Sequence, residues 1–146
     1  RCKPDEVIGA IADTGGYIGI CCIPAFLGGS GDITAMLDHI DHVAKNFGAD
    51  HVTIGTDVAY SSSASAEENR KIPGRGPTRP RWEGFWPEDD PLRAPEWNQE
   101  YQKLSMAWTN WPIFTIGMVQ RGYSDEDIRK ILGGNVLRVA RAVLET

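Results

Sequence analysis

Two apolar runs without polar alternation set the folding problem for this chain: "YIGICCIPAFL" at residues 17–27 and "HVTIGTD" at residues 51–57. A strand with one wet face alternates apolar and polar residues, whereas a run that does not is covered on both faces, as in a parallel sheet. Parallel neighbours need a crossover, and the stretch between the runs supplies one. Ile33, Met36, Leu37, Ile40, Val43, Ala44 and Phe47 recur at helical spacing, Asp32 stands where an N-cap belongs, and Gly48 stands where a C′ glycine belongs. Residues 4–13, "PDEVIGAIAD", predict a preceding helix, with Pro4 in its first turn and Asp5 and Glu6 at the positive end of its dipole. Helix, strand, helix, strand is the order of a βαβ unit, so the predicted fold class is α/β.

Two strands do not make such a sheet by themselves, because both faces must be covered and both edges paired. Either further strands are hidden, or residues outside this sequence complete the sheet. The second expectation fits a chain that opens on Arg1 in a charged stretch, "RCKPDE", with neither an initiating Met nor a signal peptide.

Residues 60–95 break the rhythm. They are rich in Ser, Pro, Gly and Arg, yet "RWEGFW" adds three aromatics. A long segment of this kind is expected to fold over a site or an interface rather than act as a plain linker. Residues 97–120 are predicted helical, with a break at Pro112. "YSDEDIRKIL" opens a further helix capped by Ser124, with Asp127 as the short arm of a capping box. "GGN" then interrupts, and Asn135 is expected to cap the last helix, "VLRVARAVLE".

Charge narrows the partners. The 146 residues carry a net −5, with pI near 5.1, which argues against nucleic acid or an anionic membrane. No apolar run approaches the roughly 20 residues that span a bilayer. Cys2, Cys21 and Cys22 are an odd set with two adjacent members, so they are not a disulfide framework. Neighbours on a strand point to opposite faces, so Cys21 and Cys22 are expected to be small core residues rather than a zinc pair.

The residue that demands a function is Asp57. A buried strand has no use for a carboxylate at its end unless something there needs one. The alternative is that Asp57 caps a loop. His39 and His42, three apart on the central helix, have the spacing to share a metal, but "DHIDH" also suits packing and hydrogen bonding.

These stretches resemble one family. "LDHIDHVAKNFGADHVTIGTD", residues 37–57, is similar to the signature of the membrane dipeptidases (renal dipeptidase, peptidase family M19): a helix reading D-H-[IL]-D-H-[IV], a Gly-Ala turn, and a strand ending G-[SGT]-D. "RCKPDEV" resembles that family's R-N-x-P-D-[DE]-[VL]. "YIGICCIPAFL" resembles its next strand, and "RGYSDEDIRKILGGNVLRVARAV" resembles its close.

The resemblance implies the C-terminal part of a (β/α)8 TIM-type barrel of the metal-dependent amidohydrolase kind, incomplete on its own. Residues 1–146 would be one segment of it, with the 60–95 loop over the substrate. It implies a zinc-dependent dipeptidase-like hydrolase in which Asp57 handles the proton and Arg1 contacts the carboxylate of a dipeptide-like substrate. Two zinc ions are implied for the complete barrel, but the family's H-x-D strand, bridging glutamate and two ligand histidines are not in this sequence. The expected partners are therefore the substrate, the N-terminal portion of the barrel (upstream or on a separate chain), no nucleic acid, and a homodimer of the kind family members often form.

On the same resemblance the helix bearing His39 and His42 lies on the outer ring, and His51 lies at the end of its strand away from the site. Departures remain. "DVAY" stands where the family often reads D-F-D-G, and Cys21-Cys22 stands where it has Asn-Phe. A non-catalytic remnant of the barrel, without a metal site, is the alternative function.

Overall fold

The computed structural model describes residues 2–59, 62, 64–72 and 87–145. Helix α1 (Asp5–Asp13) follows Pro4, carries Asp5 and Glu6 in its first turn, and buries Ile8. Strand β1 (Ile18–Ile20) is shorter than its apolar run predicts. Pro24 is the reason. It has no N–H to give a ladder and its fixed φ suits a first helical turn, so Pro24–Leu27 forms a short helix, α2, instead of more strand.

Helix α3 (Ile33–Phe47) begins and ends where the sequence places it. The Asp32 side chain accepts from the Thr34 and Ala35 amides, and Gly48, at φ 102°, closes the other end. A 3-10 turn, Ala49–His51, leads into β2 (Val52–Ile54). The two strands pair in parallel, with Ile18 beside Val52, Gly19 beside Thr53 and Ile20 beside Ile54. The pairing runs on past both strands: Gly55 N–H donates to the Ile20 carbonyl and Cys22 N–H to that of Thr56, each at 2.9 Å.

Helix α4 (Ser65–Arg70) lies within the 60–95 segment, and Pro91–Arg93 and Pro95–Asn98 form 3-10 turns. The aromatics of "RWEGFW", expected to cover a site or an interface, lie outside the described residues. The single broken helix expected over 97–120 is three pieces: α5 (Glu100–Ser105), a 3-10 turn (Trp108–Asn110) and α6 (Pro112–Gln120). Pro112 starts α6 rather than breaking a longer helix, for the same steric reason as Pro24.

Helix α7 (Asp125–Arg129) takes its cap from Ser124, whose hydroxyl accepts from the Asp127 amide. That hydroxyl also donates to the Asp127 carboxylate, so the reciprocal half of the capping box is replaced by a side-chain bond. A kink over Lys130–Gly134, where Gly133 leaves helical geometry, joins α7 to α8 (Asn135–Leu144).

The core gathers around α3 and the strands. Met36, Ile40, Val52, Phe114, Met118 and Ile131 are fully buried. Buried polar groups tie the C-terminal helices to the sheet. Thr53 donates its hydroxyl to the Ile131 carbonyl at 2.8 Å. Asn135 does not cap α8 as expected. Its amide donates to the Ala49 and Val52 carbonyls, both at 2.8 Å, and locks the start of β2. A turn later Arg138 reaches the carbonyls of Gly15 and Asp50. The architecture is thus α/β at the level of helices around a two-stranded parallel sheet, with no closed barrel among the described residues.

Candidate active site at the carboxyl end of the sheet

Parallel strands deliver their C-terminal ends to one side, and here that side carries the polar chemistry. The last rung, Cys22 to Thr56, sits immediately before Asp57. Asp57 is exposed and takes φ 54°. Among the described residues it is the one non-glycine in the left-handed region, which aspartate tolerates better than most residues.

A cavity of about 580 Å³ opens beside the strands. It is lined by β1 and Cys21, by Ile8, Leu27 and Val43, and by Cys2, Gly55 and Asp57. That volume suits a small organic ligand. Glycines make part of the lining bare main chain. A Cβ on Gly55 would stand 3.1 Å from the Gly19 Cα, and backbone cannot give way as a side chain can.

The two adjacent cysteines divide. Cys22 is buried in the core, its S–H directed to the Met36 sulfur at 3.7 Å, and burial with the neighbouring Cys21 pushes its thiol up to about 12. Cys21 is half-buried: it packs against the core as expected, but it also lines the cavity. Burial foremost raises the Cys21 thiol pKa, the Ile23 amide pulls it back, and the Asp57 charge adds to the rise. Cys21 therefore stays a protonated thiol beside the carboxylate.

The "DHIDH" turn is a junction. His39 Nε2 donates to the Leu27 carbonyl at 2.9 Å, and His42 Nε2 donates to Asp5 at 2.8 Å. Asp38 and Asp41 hold Arg121, and Asp41 also accepts from Tyr123. Burial works against the Asp41 carboxylate, but Lys45, Tyr123 and Arg121 more than offset it and hold its pKa below the ordinary range. Both histidines touch the cavity, yet each is committed to a neighbouring element. His51 Nδ1 donates to the Gly16 carbonyl at 2.7 Å, at the strand end away from Asp57.

Arg1, the expected carboxylate contact, lies outside the described residues. Among the described residues no three His, Cys, Asp or Glu side chains converge on a metal position. His39 and His42 are each committed to a neighbouring element, so the described groups around Asp57 do not by themselves fit a zinc pair. What they can do is move a proton at one exposed carboxylate beside a largely apolar cavity. Residue spacing gave no sign that Cys2 would share this cavity; only the parallel pairing, which brings the ends of β1 and β2 together, could have placed Cys21 next to Asp57.

No solved structure matches the chain. Residues 1–71 match the model of one family, membrane dipeptidase (Peptidase family M19). That span includes three of the four stretches that carry the resemblance, together with Asp57, and stops short of the C-terminal helices. Through its first 71 residues this chain is related to the membrane dipeptidases, a family of peptidases.

Proposed function

We propose that this chain is the closing part of a dipeptidase-like barrel and that Asp57 is its proton-handling residue. The observation that carries the reading is the placement of Asp57: exposed, left-handed, one residue past the last rung of a parallel pair, and facing a cavity of ligand size. In an α/β barrel that is the end of the strands where chemistry occurs.

On this reading a water oxygen bonds to the amide carbonyl carbon of a dipeptide and its proton passes to the Asp57 carboxylate. The carbon–nitrogen bond then breaks, and Asp57 returns the proton to the leaving amine. Arg1 would hold the substrate's terminal carboxylate by the forked geometry of its guanidinium. On this reading the zinc ligands and the remaining strands would come from another part of the barrel, as no three potential ligands converge among the described residues. Among the described residues β1 pairs with β2 alone and its residues line the cavity, which supports that division.

Asp57→Asn in the complete protein is the test. Asparagine also tolerates the left-handed region, so the backbone is kept while the base is lost. Dipeptide hydrolysis should fall about 10²- to 10⁴-fold, with the zinc content of the purified protein unchanged. Turnover close to that of the parent would overturn the role of Asp57. Zinc at background in the parent, with no hydrolysis, would favour the non-catalytic remnant.

A further inference from the structure

We propose that Cys2 and Cys21 are a modification site: a reversible disulfide between them in the lining of the cavity beside Asp57. Both thiols line the same cavity, and both are free. Cys2 is exposed, on a segment before α1 that belongs to no helix or strand. Cys21 sits at the end of β1, where the rung to Thr56 fixes the backbone of its neighbour. Cys21 is therefore held by the sheet, whereas Cys2 lies outside any helix or strand, and a bridge requires their Cα atoms within about 7 Å of each other.

The competing pairs are worse. Cys22 is buried and turned to Met36, and adjacent residues on extended backbone point to opposite sides. The electrostatics give the same neighbourhood: the Cys21 thiol senses the charges of both Asp57 and Cys2. Burial keeps Cys21 protonated, so exposed Cys2 is the sulfur that meets an oxidant first.

With a peroxide as oxidant the balance closes. The Cys2 sulfur takes one peroxide oxygen as the O–O bond breaks, giving a sulfenic acid and one water. Cys21 then attacks the Cys2 sulfur; the S–S bond forms, and the sulfenic oxygen leaves with the Cys21 proton as a second water. Two thiols and one peroxide become a disulfide and two waters. A thiol reductant reverses it.

The experiment is stoichiometric hydrogen peroxide on the complete protein, followed by non-reducing peptide mapping by mass. The expected result is a Cys2–Cys21 linked peptide lacking two hydrogens, which disappears on reduction. It should be absent in Cys2→Ser and in Cys21→Ser and persist in Cys22→Ala. A Cys21–Cys22 link, a Cys2–Cys2 link between molecules, or Cys2 carried to sulfinic acid with Cys21 still a thiol would each overturn the proposal. The readout is mass rather than turnover, so its failure is separate from any failure of the Asp57 assignment.

Discussion

Replacing Asn135 by Ala tests how the C-terminal helices hold the sheet. The Asn135 side chain is about 1% exposed and gives both amide hydrogens to main-chain carbonyls at 2.8 Å. One acceptor, Val52, is fully buried, and the other, Ala49, is half-buried. An unsatisfied buried acceptor costs about 1–3 kcal/mol. The Val52 carbonyl should bear most of that, while water can partly serve Ala49. With the small void left by truncation, the sum is about 2–4 kcal/mol. Asn135→Asp should cost more, since it turns a carboxylate oxygen toward carbonyl oxygens and strands a charge where water does not reach. Urea unfolding followed by circular dichroism reads both. A loss under about 0.5 kcal/mol for Asn135→Ala, or an Asp variant as stable as the Ala variant, would refute the claim that this side chain is a donor on which β2 depends.

Two other substitutions report on packing and charge. A methyl group at Gly117 would collide with Leu37 Cδ1, so Gly117→Ala should cost about 1–3 kcal/mol. In a Leu37→Ala background the same change should cost markedly less, and an unchanged cost in that double-mutant cycle would rule out the collision. Asp41 titrates below its ordinary value in the folded state. Its contribution is therefore fully present above the ordinary carboxylate range and is lost as pH falls through the depressed value. Asp41→Asn should lower stability at neutral pH and flatten the acid limb of a plot of stability against pH. A variant whose acid limb matches the parent's would show that Asp41 does not supply that dependence.

Local chemistry was legible wherever one residue decides the outcome. Asp32, Gly48, Ser124 and the apolar stripe of α3 specify their elements through capping and periodicity, which act within a few residues. Prolines misled in one direction: Pro24 and Pro112 both start helices, and a run of apolar residues does not show where a strand stops. Asn135 was misread because a cap and a long-range tie use the same amide, and only the fold shows which carbonyls lie within reach. The run from His51 places Asp57 at the end of its strand, whereas β2 stops at Ile54 and Asp57 lies one residue past the last main-chain bond, Cys22 to Thr56. Its left-handed backbone and its neighbour Cys21 are not legible in the run, because both depend on strand pairing.

The "DHIDH" junction also bears on how freely the chain could vary in length. Its ties to Leu27 and Asp5 span 12 and 37 residues and do not cross residues 60–95. The ties from Asp41 to Arg121 and Tyr123, from Thr53 to Ile131 and from Asn135 to Val52 all do, with separations of 80, 82, 78 and 83 residues. Loop-closure entropy grows only with the logarithm of length, about 0.6 kcal/mol for each doubling. An insertion that doubled the span between these anchors would therefore weaken their joint closure by less than one ordinary hydrogen bond. Relatives with a much longer or shorter excursion after β2 could keep this junction, and with it the placement of Asp57, intact.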